Sequence, residues 1–181
     1  LFKRYPLALG MSHELPGPGH YLTNDRAGVP VLMTRAEDGE VRAFLNVCRH
    51  RGAKVVTEEK GEVRKVMSCP YHGWSYGLDG ELKHIPTPAA FEDVDRSCHG
   101  LRQLPACERH GIVWVQLAPD LPFDVPETLG ELDAEIGNFN IGDYHFYERR
   151  VIEQPFNWKI AIDTFLEPYH FGVLHRNSIG P

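Results

Sequence analysis

The chain has 181 residues, enough for one ordinary domain or for a small domain plus part of another. Hydrophobic residues make up 42% of it, so it can bury a core, and its net charge of −6 argues against a surface built for nucleic acid or anionic lipid. No apolar run is long enough to span a bilayer, and the first residues lack the apolar stretch of a signal peptide. We therefore expect a cytoplasmic protein that binds neither nucleic acid nor membrane.

Residues 17–117 have the pattern of short strands broken by turns. Four segments share alternating or β-branched side chains and are predicted strands: 29–35, 40–46, 62–67 and 111–117. A hairpin turn containing glycine is predicted at 37–39, and a second turn at Asp79-Gly80. Because no long helix separates these strands, the pattern predicts a mainly β domain, built as a small antiparallel sandwich or barrel.

The composition changes at a proline-rich connector, residues 118–126. A short helix is predicted over 127–136, with acidic residues near its start. Residues 144–153 return to strand character, and 155–171 are predicted to be a helix with apolar residues at helical spacing. These changes predict three segments: a first domain at 1–118, a connector at 119–142 and the start of a second domain at 143–181.

Two pairs of potential metal ligands lie in the first domain: Cys48 with His50, and, after 18 residues that follow His50, Cys69 with His72. Each pair puts one thiolate and one imidazole on a tight loop, which we expect at facing hairpin tips. Two cysteines on one iron and two histidines on the other form the ligand set of one kind of 2Fe–2S cluster. The spacing therefore predicts a one-electron carrier.

Two other interpretations of these cysteines are weaker. A structural zinc site also uses two cysteines and two histidines, but the ligands of a zinc pair are usually two to four residues apart. Two disulfides are disfavoured because Cys48 and Cys69 each stand close to a histidine. The remaining Cys98 and Cys107 are then expected to be ordinary reduced thiols.

The stretches 48–53 (CRHRGA) and 69–74 (CPYHGW) resemble the two cluster-binding loops of Rieske proteins. The resemblance implies a Rieske-type 2Fe–2S cluster bound by Cys48, His50, Cys69 and His72. Rieske subunits of respiratory cytochrome complexes carry a disulfide at positions that match Ala53 and Tyr71, so the resemblance is to the oxygenase or ferredoxin branch. Neighbouring side chains are expected to shield or hydrogen-bond the cluster, although loop packing explains the two aromatic ones equally well: Arg49, Arg51, Tyr71 and Trp74.

A second group of residues follows Asn157-Trp158-Lys159, and it contains Asp163, Glu167, His170 and His175. Two histidines and a carboxylate are the ligands of non-haem iron sites that leave positions open for dioxygen. The order resembles the start of the catalytic domain in Rieske non-haem iron ring-hydroxylating oxygenases, α subunit. The resemblance implies that the two histidines bind Fe(II) and that Glu167 bridges this region to a Rieske histidine of a neighbouring subunit. Asp163 could hydrogen-bond an iron-ligand histidine, or be a solvated helix residue.

Two features depart from the family pattern. Many family members have aspartate at the position of Glu167. A glutamate at this position resembles the branches that act on quaternary amines. Pro168 lies inside the predicted helix, so the helix is expected to end at Glu167. His170 and His175 are five residues apart and cannot share one helical face, so a kink is required if both bind one iron. The alternative is a helix with two unrelated histidines and a capping carboxylate.

The resemblance implies a Rieske-type antiparallel β-sandwich followed by the first strand and helix of an α+β, helix-grip catalytic domain. It implies a terminal oxygenase component that passes electrons from the cluster to a mononuclear Fe(II), where dioxygen is used to hydroxylate or oxidatively demethylate an organic substrate of the aromatic or amine type. The third iron ligand, a carboxylate, is expected to be missing from this chain. We therefore expect an N-terminal fragment that is inactive by itself.

The implied partners are a ferredoxin, an NAD(P)H-dependent reductase or both, since no nucleotide-binding glycine motif is present in the chain. The full-length protein is expected to be a homotrimer or an α3β3 assembly. The rival hypothesis is a Rieske ferredoxin-type electron carrier, which leaves residues 157–175 unexplained. The other histidines match no ligand spacing and are expected at the surface or in turns: His13, His20, His84, His99, His110 and His145.

Overall fold

The structure is a computed structural model that describes residues 2–91 and 94–178. It divides into two compact units between Phe146 and Tyr147. The strands of the first unit are β1 (Leu7–Met11), β2 (His20–Asn24), β3 (Val31–Arg35), β4 (Val41–Leu45), β5 (Lys60–Glu62), β6 (Val66–Ser68), β7 (Ser75–Gly77), β8 (Leu82–His84), β9 (Gln103–Leu104), β10 (Ala106–Arg109) and β11 (Ile112–Val115). The predicted mainly β, antiparallel fold is confirmed.

Within the described residues the strands form three antiparallel sheets. The five-stranded sheet has the order β5-β2-β3-β4-β9, and the two three-stranded sheets have the orders β1-β11-β10 and β6-β7-β8. The hairpin predicted around residues 37–39 joins β3 to β4, and the turn predicted at Asp79-Gly80 joins β7 to β8.

The five-stranded sheet is covered on both faces because successive side chains of a strand point to opposite sides. Leu32 and Phe44, paired across β3 and β4, pack with the β6-β7-β8 sheet and with the cysteines of both ligand pairs. Met33 and Ala43, one position along, pack with Val113 of β11 on the other face. The cluster loops therefore lie against one of two separate apolar cores.

The strand predicted over 62–67 is wrong as a single element. Glu62 is the last residue of β5, which pairs with β2. Val66 is the first residue of β6, which pairs with β7 in another sheet. Arg64 and Lys65 form the exposed bend between them. Alternating polarity is the same in both sheets, so the pattern could not reveal the change of partner.

The connector helix predicted over 127–136 is two helices, α1 (Val125–Leu129) and α2 (Leu132–Asn138). Helix α1 begins earlier than predicted because Asp124 caps it, accepting a hydrogen bond from the Glu127 N–H at 2.8 Å. Gly130, whose φ is +56°, ends α1.

The second unit contains helices α3 (Trp158–Leu166) and α4 (Phe171–Leu174). The strand predicted over 144–153, the first strand of the implied catalytic domain, is wrong: these residues have no regular structure. A strand needs a neighbour for its N–H and C=O groups, and none lies beside this segment in the described part of the chain. No helix in that part is long and apolar enough to cross a membrane.

Candidate metal centre

The first cluster loop connects β4 to β5, and the buried side chain of Asn46 closes its base. The Asn46 amide nitrogen donates to the Val56 carbonyl at 2.7 Å. Its oxygen accepts from the N–H groups of Val55 and Val56 at 3.0 and 3.1 Å. One fully buried side chain therefore satisfies three backbone groups and fixes the two ends of the loop together.

Inside this loop the backbone turns tightly around Cys48. The Cys48 N–H donates to the Ala53 carbonyl at 2.7 Å, and the Gly52 N–H donates to the Cys48 carbonyl at 3.0 Å. Gly52 has a φ of +76°, a conformation that residues with a Cβ rarely adopt. The motif glycine thus allows the chain to fold back beneath the ligand pair.

The second loop is the tip of the hairpin between β6 and β7. The hydroxyls of Ser68 and Ser75 lie 2.8 Å apart at its base. The Cys69 N–H donates to the Trp74 carbonyl at 2.8 Å, and the Gly73 N–H donates to the Cys69 carbonyl at 2.9 Å. The same turn geometry therefore occurs in both loops, although only the second is the hairpin tip that was predicted for both.

The two loops bring the four predicted ligands together, with the cysteines inside and the histidines outside. Cys48 and Cys69 are 4% and 3% exposed and belong to the same apolar core. Burial raises the pKa of the Cys69 thiol, and the adjacent Cys48 raises it further. His50 is partly buried and His72 is exposed, and their ring centroids lie 4.6 Å apart.

The environment of His50 fits a metal ligand. Its Nδ1 atom is buried and has no hydrogen-bond partner in the described part of the chain. Burial lowers the pKa of His50, and the charges of His72 and Arg51 lower it further, which favours the neutral imidazole that binds metal. A buried unpaired nitrogen destabilises a fold unless something outside the chain satisfies it. An iron of the cluster would do so.

Among the described residues, no three His, Cys, Asp or Glu side chains converge tightly enough to hold a single metal ion. A 2Fe–2S cluster of the predicted kind does not need such a group, because each iron takes only two protein ligands. The inside–outside separation of the thiols and imidazoles suits this division. The ligand set itself stays a prediction.

Tyr76 is a residue of this site that the sequence analysis missed. Its hydroxyl oxygen accepts a hydrogen bond from the Arg49 N–H at 3.0 Å and lies 3.3 Å from the Cys48 Sγ. Burial raises the pKa of Tyr76 strongly, and its contact with Cys48 raises this pKa further. The hydroxyl therefore stays protonated and can donate a hydrogen bond to a thiolate. The only local signal was a tyrosine two positions beyond the second loop.

The residues expected around the cluster divide into two groups. Arg49, Arg51 and Tyr71 are exposed, and the Tyr71 ring lies beside its neighbour His72. Trp74 is 3% exposed and stacks on His50, with ring centroids 5.1 Å apart and an angle of 9° between the planes. Trp74 therefore packs directly on a predicted ligand, which agrees both with shielding of the cluster and with ordinary loop packing, and its role at the cluster stays a prediction.

The second predicted site lies at the end of α3. Asn157 caps this helix, and the helix ends at Glu167 before Pro168, as predicted. The Glu167 carboxylate pairs with the His170 Nδ1 at 2.9 Å, and this hydrogen bond lowers the pKa of Glu167. The rings of His170 and His175 lie 5.3 Å apart, because the chain turns again at α4.

This arrangement leaves the Nε2 atom of His170 available for a metal, since a carboxylate that holds one ring nitrogen orients the other. Glu167, predicted to bridge to a neighbouring subunit, is thus paired within its own chain. Asp163 is exposed on α3 and makes no hydrogen bond to either histidine within the described residues. The roles of these residues stay predictions.

Among the remaining histidines, His84 and His145 are exposed, as expected. His110 lies in the turn between β10 and β11, also as expected, and its Nε2 pairs with Asp133 at 2.9 Å; His99 lies beside Trp74. Both leftover cysteines are free thiols, as predicted, and the one at position 98 is exposed.

Comparison with known families gives two matches. Residues 6–105 match the Rieske [2Fe-2S] domain, and residues 141–181 match the ring hydroxylating alpha subunit (catalytic domain). The first match covers more than half of the chain. It contains both cluster loops, and the second match contains both C-terminal histidines.

Curated relatives and solved structures agree with these matches. The glycine betaine monooxygenase oxygenase subunit of Chromohalobacter salexigens is 36% identical over 97% of this chain and 39% of its own length. The crystal structure of the quaternary ammonium Rieske monooxygenase CntA with L-carnitine superposes with a TM-score of 0.90 at 29% identity, over 98% of this chain and 50% of that one. Naphthalene 1,2-dioxygenase from Rhodococcus sp. gives 0.81 at 27% identity, over 99% of this chain and 42% of that one.

The chain spans about 40% of the length of the first curated relatives it matches. Its family is nevertheless defined by the part that is present, since the loops, the turn glycines and the buried cysteines all lie within the first match. The chain belongs to the Rieske [2Fe-2S] domain family, and its last 41 residues match the catalytic domain of the ring-hydroxylating α subunit.

Proposed function

We propose that the whole protein is the terminal oxygenase component of a Rieske non-haem iron system. The observation that carries this proposal is that one chain contains both the cluster loops and a catalytic-domain match with paired histidines, His170 and His175. An electron carrier of the ferredoxin type would account only for the first of these. The activity is hydroxylation or oxidative demethylation of an organic substrate with dioxygen.

Cys48, His50, Cys69 and His72 would hold the cluster, which supplies one-electron transfer when bound. The chain contributes three things to that transfer. The apolar core around the cysteines excludes water from their side of the site, and Tyr76 offers a hydrogen bond to the Cys48 sulfur. The exposed ring of His72 provides an edge that a neighbouring subunit can reach.

His170 and His175 would hold the mononuclear Fe(II). The third ligand would be a carboxylate from a later part of the full-length protein. Such an iron supplies the activation of dioxygen. Glu167 orients His170 through Nδ1, so that Nε2 is presented to the metal. Asp163 would have a part only if the complete catalytic domain turns it toward these histidines.

An amine-type substrate is favoured over an aromatic one. The glycine betaine monooxygenase subunit has a higher sequence identity to this chain than the naphthalene 1,2-dioxygenase component has. The quaternary ammonium monooxygenase also superposes on this chain with a higher TM-score than naphthalene dioxygenase does. Glu167 in place of the more usual aspartate points the same way. A ferredoxin or NAD(P)H-dependent reductase would supply electrons, and a trimer would bring neighbouring subunits together. Such reductants and the free thiols favour the cytoplasm.

The test uses the full-length protein, with glycine betaine, carnitine and naphthalene offered in parallel. We expect formaldehyde from an N-methylated substrate and none of the diol expected from naphthalene. Cys48→Ser should abolish the visible and electron paramagnetic resonance signals of the cluster together with turnover. His170→Ala should keep those signals and abolish turnover.

His84→Ala is the matched control, because His84 is exposed and lies in neither group of predicted ligands. It should keep both the cluster signals and turnover. A full-length protein that shows the cluster but oxidises no substrate would support the electron-carrier alternative. Normal turnover of His170→Ala would remove that histidine from the proposed iron site.

A further inference from the structure

Three aromatic rings lead from the cluster site toward the protein surface. Trp74 stacks face to face on His50 at 5.1 Å, contacts Phe91 edge to face at 5.7 Å, and lies beside His99, whose ring centroid is 6.0 Å away at an angle of 69°. His50 is a predicted cluster ligand, whereas His99 lies just after the 3₁₀ turn Arg96–Cys98 and is partly exposed. We name the side chains of His50, Trp74 and His99 the ring relay.

The outer end of the relay is held in place. The Nδ1 atom of His99 is 2.7 Å from the Asp95 carbonyl, and its backbone N–H donates to the Arg96 carbonyl at 3.1 Å. Asp95 also caps the turn by accepting from the Ser97 N–H at 2.9 Å. A side chain fixed from both its ring and its backbone keeps a constant distance to Trp74.

Hydrogen bonding does not explain why a tryptophan occupies position 74. Its Nε1 atom is buried and has no partner in the part of the chain that the structure describes. An unpaired buried N–H destabilises the fold, and a smaller apolar ring would avoid that penalty. What the indole contributes is its large flat surface, which stacks on His50 and also comes close to His99.

The two predicted histidine ligands therefore have different surroundings. His72 is exposed and can meet an electron acceptor directly, whereas His50 is enclosed by His72, Trp74 and Phe91. Electron tunnelling weakens steeply with distance and with gaps between atoms, so a route through closely spaced rings is favoured over one through solvent. The two histidines thus provide two separate routes to one cluster.

We propose that the ring relay is the inlet by which a protein electron donor of the flavin or iron–sulfur class reduces the cluster, with the donor approaching at His99. One electron leaves the reduced donor and is accepted by the diferric cluster, and no bond or proton is transferred. The inference rests on the proposed function only in requiring that the four predicted ligands hold a cluster. His99 and Trp74 act through His50 and are not themselves ligands.

The chain offers a direct test, because the exposed Cys98 is adjacent to His99. A thiol-reactive ruthenium photosensitiser is attached to Cys98 in the cluster-loaded full-length protein, with the partly buried Cys107 replaced by serine. A light flash then injects one electron at the start of the relay. The bleaching of the cluster's visible absorbance gives the rate of its reduction.

His99→Leu and Trp74→Leu should slow this reduction on the order of tenfold, while the electron paramagnetic resonance spectrum and reduction potential of the cluster stay unchanged in His99→Leu. His84→Leu, which removes an exposed histidine outside the relay, should have the unsubstituted rate. An unsubstituted rate in His99→Leu at unchanged potential would overturn the relay, even if Trp74→Leu fails to load the cluster.

A failure of the proposed function would give a different experimental result from a failure of the ring relay. If the unsubstituted full-length protein carries no cluster spectrum, the ligand assignment fails before the flash experiment begins. If the cluster is present and reduced equally fast in every variant, only the relay fails.

Discussion

Asn46 offers the sharpest test of how the first cluster loop is held. Its side chain is fully buried and makes three hydrogen bonds, two from backbone N–H groups and one to a carbonyl, with residues 9 and 10 positions further along the chain. Asn46→Ala removes all three partners at once. The N–H of Val55 and both backbone groups of Val56 are then left buried and unpaired.

The expected loss in the free energy of unfolding of Asn46→Ala follows from the number of backbone groups left unpaired. A buried donor or acceptor without a partner costs about 1 kcal/mol at the low end, so three of them lower the free energy of unfolding by roughly 3 kcal/mol. With a urea m-value of about 2 kcal/mol/M, the midpoint of unfolding should fall by about 1.5 M. A loss of this size is a large fraction of the stability of an ordinary domain.

The assay is urea unfolding of the cluster-loaded protein, followed through the fluorescence of the buried Trp74 and Trp114. Asn138→Ala is the control, since Asn138 is exposed at the end of α2, and it should change the free energy of unfolding by no more than about 0.5 kcal/mol. If Asn46→Ala matches that control, the loop is held by something other than the three hydrogen bonds.

Three other substitutions also have defined expected results. Tyr76→Phe removes the hydroxyl beside the Cys48 sulfur, so a one-electron titration should place the reduction potential lower by roughly 60 mV, and an unchanged value would show that the contact does not tune the cluster. Gly73→Ala should lower the free energy of unfolding by about 2 kcal/mol in urea, because φ is +71° and the new Cβ would lie 2.9 Å from a proline side chain; an unaffected midpoint would contradict this. Hydrogen bonding to Arg109 lowers the pKa of Asp133 from 3.8 to about 2, so its contribution to stability is complete above pH 3.8 and lost as the pH falls toward 2. Asp133→Asn should abolish that part of the acid sensitivity in urea midpoints measured between about pH 4 and pH 2, and a pH profile like that of the unsubstituted protein would exclude this role.

Some of the fold could be predicted because the signals were local. The turn at 37–39, the turn at Asp79-Gly80 and the end of α3 before Pro168 depend on residues adjacent in the chain, and all three were correct. The strand predicted over 62–67 failed because the change from one sheet to another depends on partners distant in sequence. The strand predicted over 144–153 failed because no neighbouring strand lies beside it in the described part of the chain.

The candidate site divides in the same way. The types and spacing of Cys48, His50, Cys69 and His72 are properties of two short segments, and they are sufficient to predict a 2Fe–2S cluster. The backbone turn common to both loops is indicated locally only by the two motif glycines.

The sequence by itself determined the candidate ligands, the kind of cluster and the family, since these depend on a few residues that are close together along the chain. Only the tertiary structure decided which ligands face the core and which face solvent, that Tyr76 contacts Cys48, and that Trp74 has both His50 and His99 as ring neighbours. These contacts join segments that meet only when the sheets pack. Their geometry depends on the whole core, so no local pattern encodes it.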